Sequence, residues 1–286
     1  MSHQPIPLRK VFVWAARLIA ALFFIGVCGA AIVYASGKLY QNRVERLHFR
    51  VAQLRVGLST FEDAVTLARD YKRNLETQTR DCASSDCRFR IQLTNVPFPA
   101  FYDAPLFWKL GIRPAAVAAT VSVNNGKVSY ADFGISYRTQ YGYWLEASFH
   151  GASELTMFDK CSMDELGRNS QYAVTNSFLT NGDGGGQSVE VAFGKVVSDE
   201  QRARATDIRL VCLTAIPGCK SLTDLMPKVW EGMASEIVLD ESFNAECEQY
   251  MKEQERRQGN FPWHLESAFD PAPVTVNSWI LTRPSR

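Results

Sequence analysis

Residues 18–35 read LIAALFFIGVCGAAIVYA, an unbroken apolar run without a charged side chain. A helix rises about 1.5 Å per residue, so roughly 20 apolar residues cross a hydrocarbon core about 30 Å thick. Extending the run back through 11–16 (VFVWAA) gives ample length but encloses Arg17. A charge at the bilayer centre costs about 2.5–3.5 kcal/mol on insertion scales, and far less at the interface, where the stem reaches water. Arg17 is therefore expected near the cytoplasmic headgroups, with Arg9 and Lys10 outside and Trp14 and Tyr34 as interfacial anchors. The segment 11–36 reads as a transmembrane helix or signal-anchor, after a cytoplasmic tail of residues 1–10.

Orientation follows from two opposing signals. Lys38, Arg43, Arg46, Arg50 and Arg55 follow the run with only Glu45 against them, and a literal charge count would put that side in the cytoplasm. Long domains translocate largely regardless of charge, however, and the cysteine pattern suits an oxidising compartment. The expectation is a single-pass protein of the bacterial inner membrane, N-terminus cytoplasmic and C-terminal domain periplasmic. The alternative is a secreted domain released by signal-peptide cleavage after Ala35, where Val33-Tyr34-Ala35 precedes Ser36. A lipoprotein reading at Cys28 meets Val27 where such signals carry Gly or Ala, so Cys28 reads as an apolar helix residue.

Six cysteines lie outside the run: Cys82, Cys87, Cys161, Cys212, Cys219 and Cys247. An even number outside the membrane is what a structural disulfide framework predicts, although six cysteines allow 15 connectivities. The economical local pairs are Cys82 with Cys87 and Cys212 with Cys219, leaving Cys161 with Cys247. Neither spacing matches a zinc knuckle or a Cys-x-x-Cys redox motif. No metal site, cofactor or catalytic residue is assigned. Net charge is +1 with acids and bases interspersed, so no basic field points to nucleic acid. The locally basic segment after the run fits either anionic headgroups or a solvated helix face.

About 250 residues follow the run, enough to bury a real core. Leu39, Val44, Leu47, Val51 and Leu54 recur at helical spacing and predict a juxtamembrane helical stalk over 37–56. Packing on its own domain is its expected use, with a homodimer through the stalk as the other. Gly57 ends it, and Ser59-Thr60-Phe61-Glu62 reads as a capping box for a second helix. The stretch 57–65 (GLSTFEDAV) is similar to the glycine-Ser/Thr-helix opening of the small lipoproteins that assist outer-membrane protein assembly. A likeness this short assigns no family.

From Cys87 the period changes to two: Phe89, Ile91 and Leu93 alternate with Arg88, Arg90 and Gln92. An aromatic cluster follows (Phe98, Phe101, Tyr102, Phe107, Trp108), expected in the core rather than at a ligand. Residues 117–123 and 128–137 flank Asn124-Asn125-Gly126, a hairpin with a type I′ turn. A third antiparallel strand is expected over 141–150, and a second hairpin from 172–179 and 188–193. The glycine run between them lacks the Lys-Ser/Thr ending of a phosphate loop. Residues 205–215 read as a further strand. Residues 222–233 read as a helix that Pro227 kinks or divides, and 246–258 as a charged, exposed helix. The fold class is α+β: an N-terminal transmembrane helix, then a domain over 57–260 with a mainly antiparallel sheet and flanking helices, then an extended tail over 261–286.

Function is less legible. His150 closes a strand on the same face as Glu146, four residues before it, and the two together suggest an acid/base pair. An envelope hydrolase using Glu146 and His150 is the enzyme reading. His264, beside Trp263 and Glu266, is a weaker echo of it. No Gly-x-Ser-x-Gly elbow or His-Glu-x-x-His is present, and Asp224, Glu231, Glu236, Asp240 and Glu241 lack the rhythm of a calcium loop. The favoured expectation is a non-catalytic binding, scaffold or assembly role at the envelope, with the lipid bilayer and an envelope protein as partners.

Overall fold

The computed structural model describes residues 8–76, 86–95, 113–153, 172–179, 185–215 and 217–229, with Gln249, Lys252, Glu253 and Arg256. The chain forms two compact units, Met1–Asp240 and Glu241–Arg286. In the second, the four described residues are helical and Arg256 pairs with Glu253. Cys82, Cys161, Cys247, the aromatic cluster at 98–108 and the tail over 261–286 lie outside the described residues.

Helix α1 spans Leu8–Gln53, 46 residues without a break. Its first part is long and apolar enough to cross a membrane and buries nothing against the rest of the protein. Phe23 is 74% exposed and Ile32 70%, an arrangement that water disfavours and lipid accepts. The last part is amphipathic. Tyr40, Val44, Leu47, Val51 and Leu54 form a buried stripe at alternating four- and three-residue steps. Full burial of such a side chain contributes about 1.5–3 kcal/mol. Leu39, expected on that stripe, is 66% exposed; Tyr40 takes its place, because the Tyr40 hydroxyl can donate to the Leu93 carbonyl at 3.3 Å inside the core. The segment expected as a stalk is thus continuous with the apolar helix and packed on the sheet, and its apolar face is occupied within its own chain.

The sheet has six strands among the described residues: β1 Cys87–Thr94, β2 Ala115–Asn124, β3 Lys127–Arg138, β4 Trp144–Ala152, β5 Tyr172–Leu179 and β6 Gly186–Gly194. Their spatial order is β1-β2-β3-β4-β6-β5. Every neighbouring pair is antiparallel except β4 with β6. The exception has a topological cause: the β5–β6 hairpin enters with its second strand against β4. The β2–β3 turn carries Asn125 at φ 51° and Gly126 at φ 72°, the two positive angles that a type I′ turn requires. Alternation sends Phe89, Ile91, Val117, Val121, Phe133, Ile135, Leu145, Phe149, Val189 and Val191 to one face, which together with α1 forms the core.

Two local expectations change, and one alternative is resolved. The helix α2 is Phe61–Asp70, and its capping box is Thr60 with Asp63, one residue later than Ser59 with Glu62. The Thr60 amide donates to the Asp63 carboxylate at 2.7 Å, and these bonds hold that carboxyl below its ordinary value. Ser59 instead accepts from the Arg55 amide at 2.9 Å and closes the turn after α1. Residues 205–215 are not a strand. A helix α3, Asp199–Ala205, opens on a capping box of Ser198 and Gln201, and Leu210–Leu213 is a 3₁₀ turn. Cys212 is disulfide-bonded to Cys219 across a separation of seven, with Pro217 and Gly218 between, so the chain must reverse there. Of the helix expected over 222–233, the described residues 222–229 follow the two-piece alternative: α4 is Leu222–Leu225, and helical backbone resumes at Pro227, where a missing amide hydrogen does no harm.

His48, on the packed part of α1, stands edge-on to Phe133 at 5.0 Å and Phe149 at 5.7 Å, and its Nε2–H donates to the Thr206 carbonyl at 2.6 Å. Burial lowers its pKa from the ordinary 6.5, against smaller opposing pulls from Thr206, Asp207 and Glu45. The unfolded chain therefore binds more protons just below pH 6.5, and this residue's contribution is full above that pH and lost as pH falls. In urea titrations, the stability difference between wild type and His48→Gln is expected to shrink between about pH 7 and pH 5. A pH-independent difference would contradict a buried neutral imidazole.

Candidate functional site

The sheet face opposite the packed helix is polar. The strand register sets one row across it: Arg90 on β1 opposite Thr120, Thr120 opposite Asp132, and Asp132 opposite His150. Glu190 on β6 lies diagonal to His150, being paired with Ser148. Each side chain arrives there by the same alternation that sends its neighbours, such as Phe133, Phe149 and Val191, into the core.

His150 is 5% exposed, and its Nδ1 meets Glu190 Oε1 at 2.9 Å. The Tyr130 ring stacks on the imidazole, centroids 5.6 Å apart. A carboxylate on Nδ1 fixes the ring's orientation and stabilises its protonated form. Asp132 is half-buried and its carboxyl is pushed up to about 7, chiefly by burial. Attraction to His150 opposes that shift and repulsion from Glu190 adds to it, while Arg90 and Arg88 oppose it more weakly. Of the three groups, Asp132 is the one whose carboxyl burial raises toward neutral pH.

Glu146 and His150 do share the face expected of them, but they do not meet. Four residues along a strand span about 13 Å, at roughly 3.3 Å per residue. Glu146 accepts instead from the Ser136 hydroxyl at 3.0 Å, its pKa raised by burial. The partner of His150 is Glu190, forty positions away, and its opposite neighbour is Asp132. Neither was singled out from the sequence. The available signal was a carboxylate inside each strand, Asp132 between Ala131 and Phe133 and Glu190 between Val189 and Val191. Only the register shows that these two converge on one histidine.

A concave surface lies beside α1 and α2, lined by Arg43, Arg46, Arg50, Asp70 and Tyr71 among others. Its charges largely satisfy one another: Arg50 pairs with Asp70 at 2.5 Å and Arg43 donates to Asn74 Oδ1 at 2.8 Å. Among the described residues no three His, Cys, Asp or Glu side chains converge to hold a metal ion. Of the cysteines, Cys212 and Cys219 form one disulfide, with Cα atoms 5.0 Å apart, and Cys87 is disulfide-bonded as well. Cys28, within the apolar part of α1, is a free thiol. Compared with protein-family models, with curated proteins and with solved structures, the chain matches none.

Proposed function

We propose that this is a single-pass membrane protein of the bacterial envelope whose α+β domain has a non-catalytic binding or assembly role outside the cytoplasm. The observation that carries the reading is the continuity of α1. One helix runs from exposed apolar residues into a stripe buried in the sheet core, so the domain is coupled to the bilayer without a hinge. The Ala35–Ser36 bond lies inside that helix, which favours an uncleaved anchor over a released domain. The Cys212–Cys219 disulfide fits an oxidising compartment and hence the periplasmic side. The separation of Glu146 from His150 weakens the hydrolase alternative. The polar sheet face is the binding surface we assign, with the partly exposed Asp132 and Glu190 on it and the buried His150 beneath them.

Two measurements test this. In membranes washed with alkaline carbonate, the full-length chain is expected to stay in the pellet, with its domain accessible to protease from the periplasmic side only. A soluble chain beginning at Ser36, or a domain digested only from the cytoplasmic side, would overturn the location. For the role, a photo-crosslinking residue at Ser148 on the polar face is expected to give one discrete adduct with an envelope protein in cells. Adducts with lipid alone, or none, would remove the binding surface.

A further inference from the structure

We propose that the end of the sheet domain nearest the apolar run rests on the membrane surface. Lys38, Arg138 and Lys220 would lie against anionic lipid headgroups, and Tyr141, Tyr143 and Trp144 at the headgroup boundary. This rests on the reading of α1 as membrane-spanning.

The argument begins with distances along an unbroken helix. At about 1.5 Å per residue, Gly37 stands roughly 3 Å and Gln41 roughly 9 Å beyond Ala35, the last residue of the apolar run. The headgroup layer on each side of a bilayer is about 5–8 Å thick, and tilt of the helix only lowers these heights. The domain already touches α1 within that interval. A Cβ on Gly37 would stand 3.4 Å from the Thr214 methyl, so Thr214 packs at the level of Gly37. The Thr214 hydroxyl donates to Gln41 Oε1, and the Tyr40 hydroxyl reaches the Leu93 and Ala115 carbonyls at 3.3 and 3.5 Å. No length of chain remains to lift the domain clear of the lipid.

Contacts then carry this level across the end of the sheet. Thr214 sits inside the Cys212–Cys219 disulfide loop. The Tyr137 hydroxyl donates to the Cys219 carbonyl at 2.9 Å, and the Tyr143 hydroxyl donates to the carbonyl of Lys220. The turn between β3 and β4 is thereby fixed at the same end as Gly37 and Tyr40. Its side chains suit a headgroup layer. Tyr141 is 59% exposed and stacks on Tyr143 with centroids 6.1 Å apart, and the Arg138 guanidinium lies over the Trp144 ring at 5.9 Å. Amphipathic rings beside cations are what the membrane interface favours, the ring bodies facing acyl chains and the charges facing phosphates. Among the described residues the carboxylates near this end include Asp224, which accepts from the Lys220 amide at 2.9 Å, and Glu45, which accepts from the Gln41 side-chain amide at 2.6 Å, against Lys38, Arg138 and Lys220. Leu39, 66% exposed on α1, lies at the same height.

The test uses the full chain in vesicles of phosphatidylcholine and phosphatidylglycerol that contain lipid brominated near the top of the acyl chain. Subtracting Trp144→Phe from wild type isolates the fluorescence of Trp144, and Trp14→Phe does the same for Trp14. Trp144 is expected to lose most of its intensity to the brominated lipid, and to lose less when Arg138→Glu and Lys220→Glu are combined. Quenching of Trp14 with none of Trp144 would overturn the proposal while leaving the anchor intact. Quenching of neither would overturn the anchor itself. Equal quenching of Trp144 with and without the charge reversals would remove the anionic headgroups from the proposal.

Discussion

Replacing Phe133 by alanine is expected to cost about 3–5 kcal/mol of domain stability, the range for removing a large aromatic from a packed core. The site leaves little room to collapse. Phe133 is fully buried in a central strand, with His48 edge-on at 5.0 Å and Phe149 stacked at 5.7 Å. Phe149 in turn stacks on Phe193 at 6.3 Å, so one ring removed loosens a row that joins β3, β4, β6 and α1. Rings in this geometry contribute about 0.5–1.5 kcal/mol beyond the area they bury. A whole domain is stable by only about 5–15 kcal/mol, so this variant consumes much of the margin. Urea unfolding in detergent should show the midpoint falling with an unchanged slope. Phe49→Ala is the control: Phe49 lies on the same helix, 60% exposed, and should stay within about 0.5 kcal/mol of wild type. A Phe133→Ala loss below about 1 kcal/mol would contradict the packing of α1 against the sheet.

Asp132→Asn is expected to stabilise the domain at pH 8, on the order of 2 kcal/mol, and to do progressively less as the pH falls. The Asp132 carboxyl is pushed up to about 7, largely by burial, from an ordinary value of 3.8. Between those values the folded state binds the proton and the unfolded state does not, so this group makes stability fall as pH rises through the window. A tenfold change in proton affinity corresponds to about 1.4 kcal/mol, and the side chain's remaining exposure discounts the full sum. Asparagine keeps the shape and removes the charge. Chemical denaturation of both proteins from about pH 4 to pH 8 should give curves that converge at the acidic end. Parallel curves, or a variant less stable at pH 8, would show an ionised Asp132 held by its cationic neighbours instead. If the polar face binds a partner through this cluster, the same variant should gain stability while losing the Ser148 adduct. That combination is characteristic of a group kept for function rather than for folding.

Much of the architecture follows from local chemistry. The length and uninterrupted apolarity of 18–35 are enough to demand an element that water does not suit. Asn125-Gly126 supplies the positive φ angles of the β2–β3 hairpin, and alternation in β1 assigns its faces without reference to any other part of the chain. Where local signals compete, the surrounding structure chooses between them. Ser59 and Thr60 are adjacent hydroxyls, each with an acid three residues on, and only the turn after α1 decides which of them caps α2. Ile208, Leu210 and Cys212 alternate like a strand, yet the disulfide back to Cys219 and the cap at Ser198 impose a helix and a tight turn.

The candidate site was half legible for the same reason. Strand alternation places Glu146 and His150 on one face, but a face is not a contact, and the strand's rise keeps them apart. Which carboxylates reach His150 depends on the pairing of β3 with β4 and of β6 with β4, and in particular on the parallel insertion that brings Glu190 alongside. The sequence by itself determined the apolar helix, the strands' buried faces and the turn chemistry, because each rests on interactions within a few residues. Tertiary packing is what makes α1 one rod from apolar run to core and brings Asp132 and Glu190 to His150. Both depend on register and packing between residues distant in the chain, whose closure entropy and desolvation no local pattern encodes.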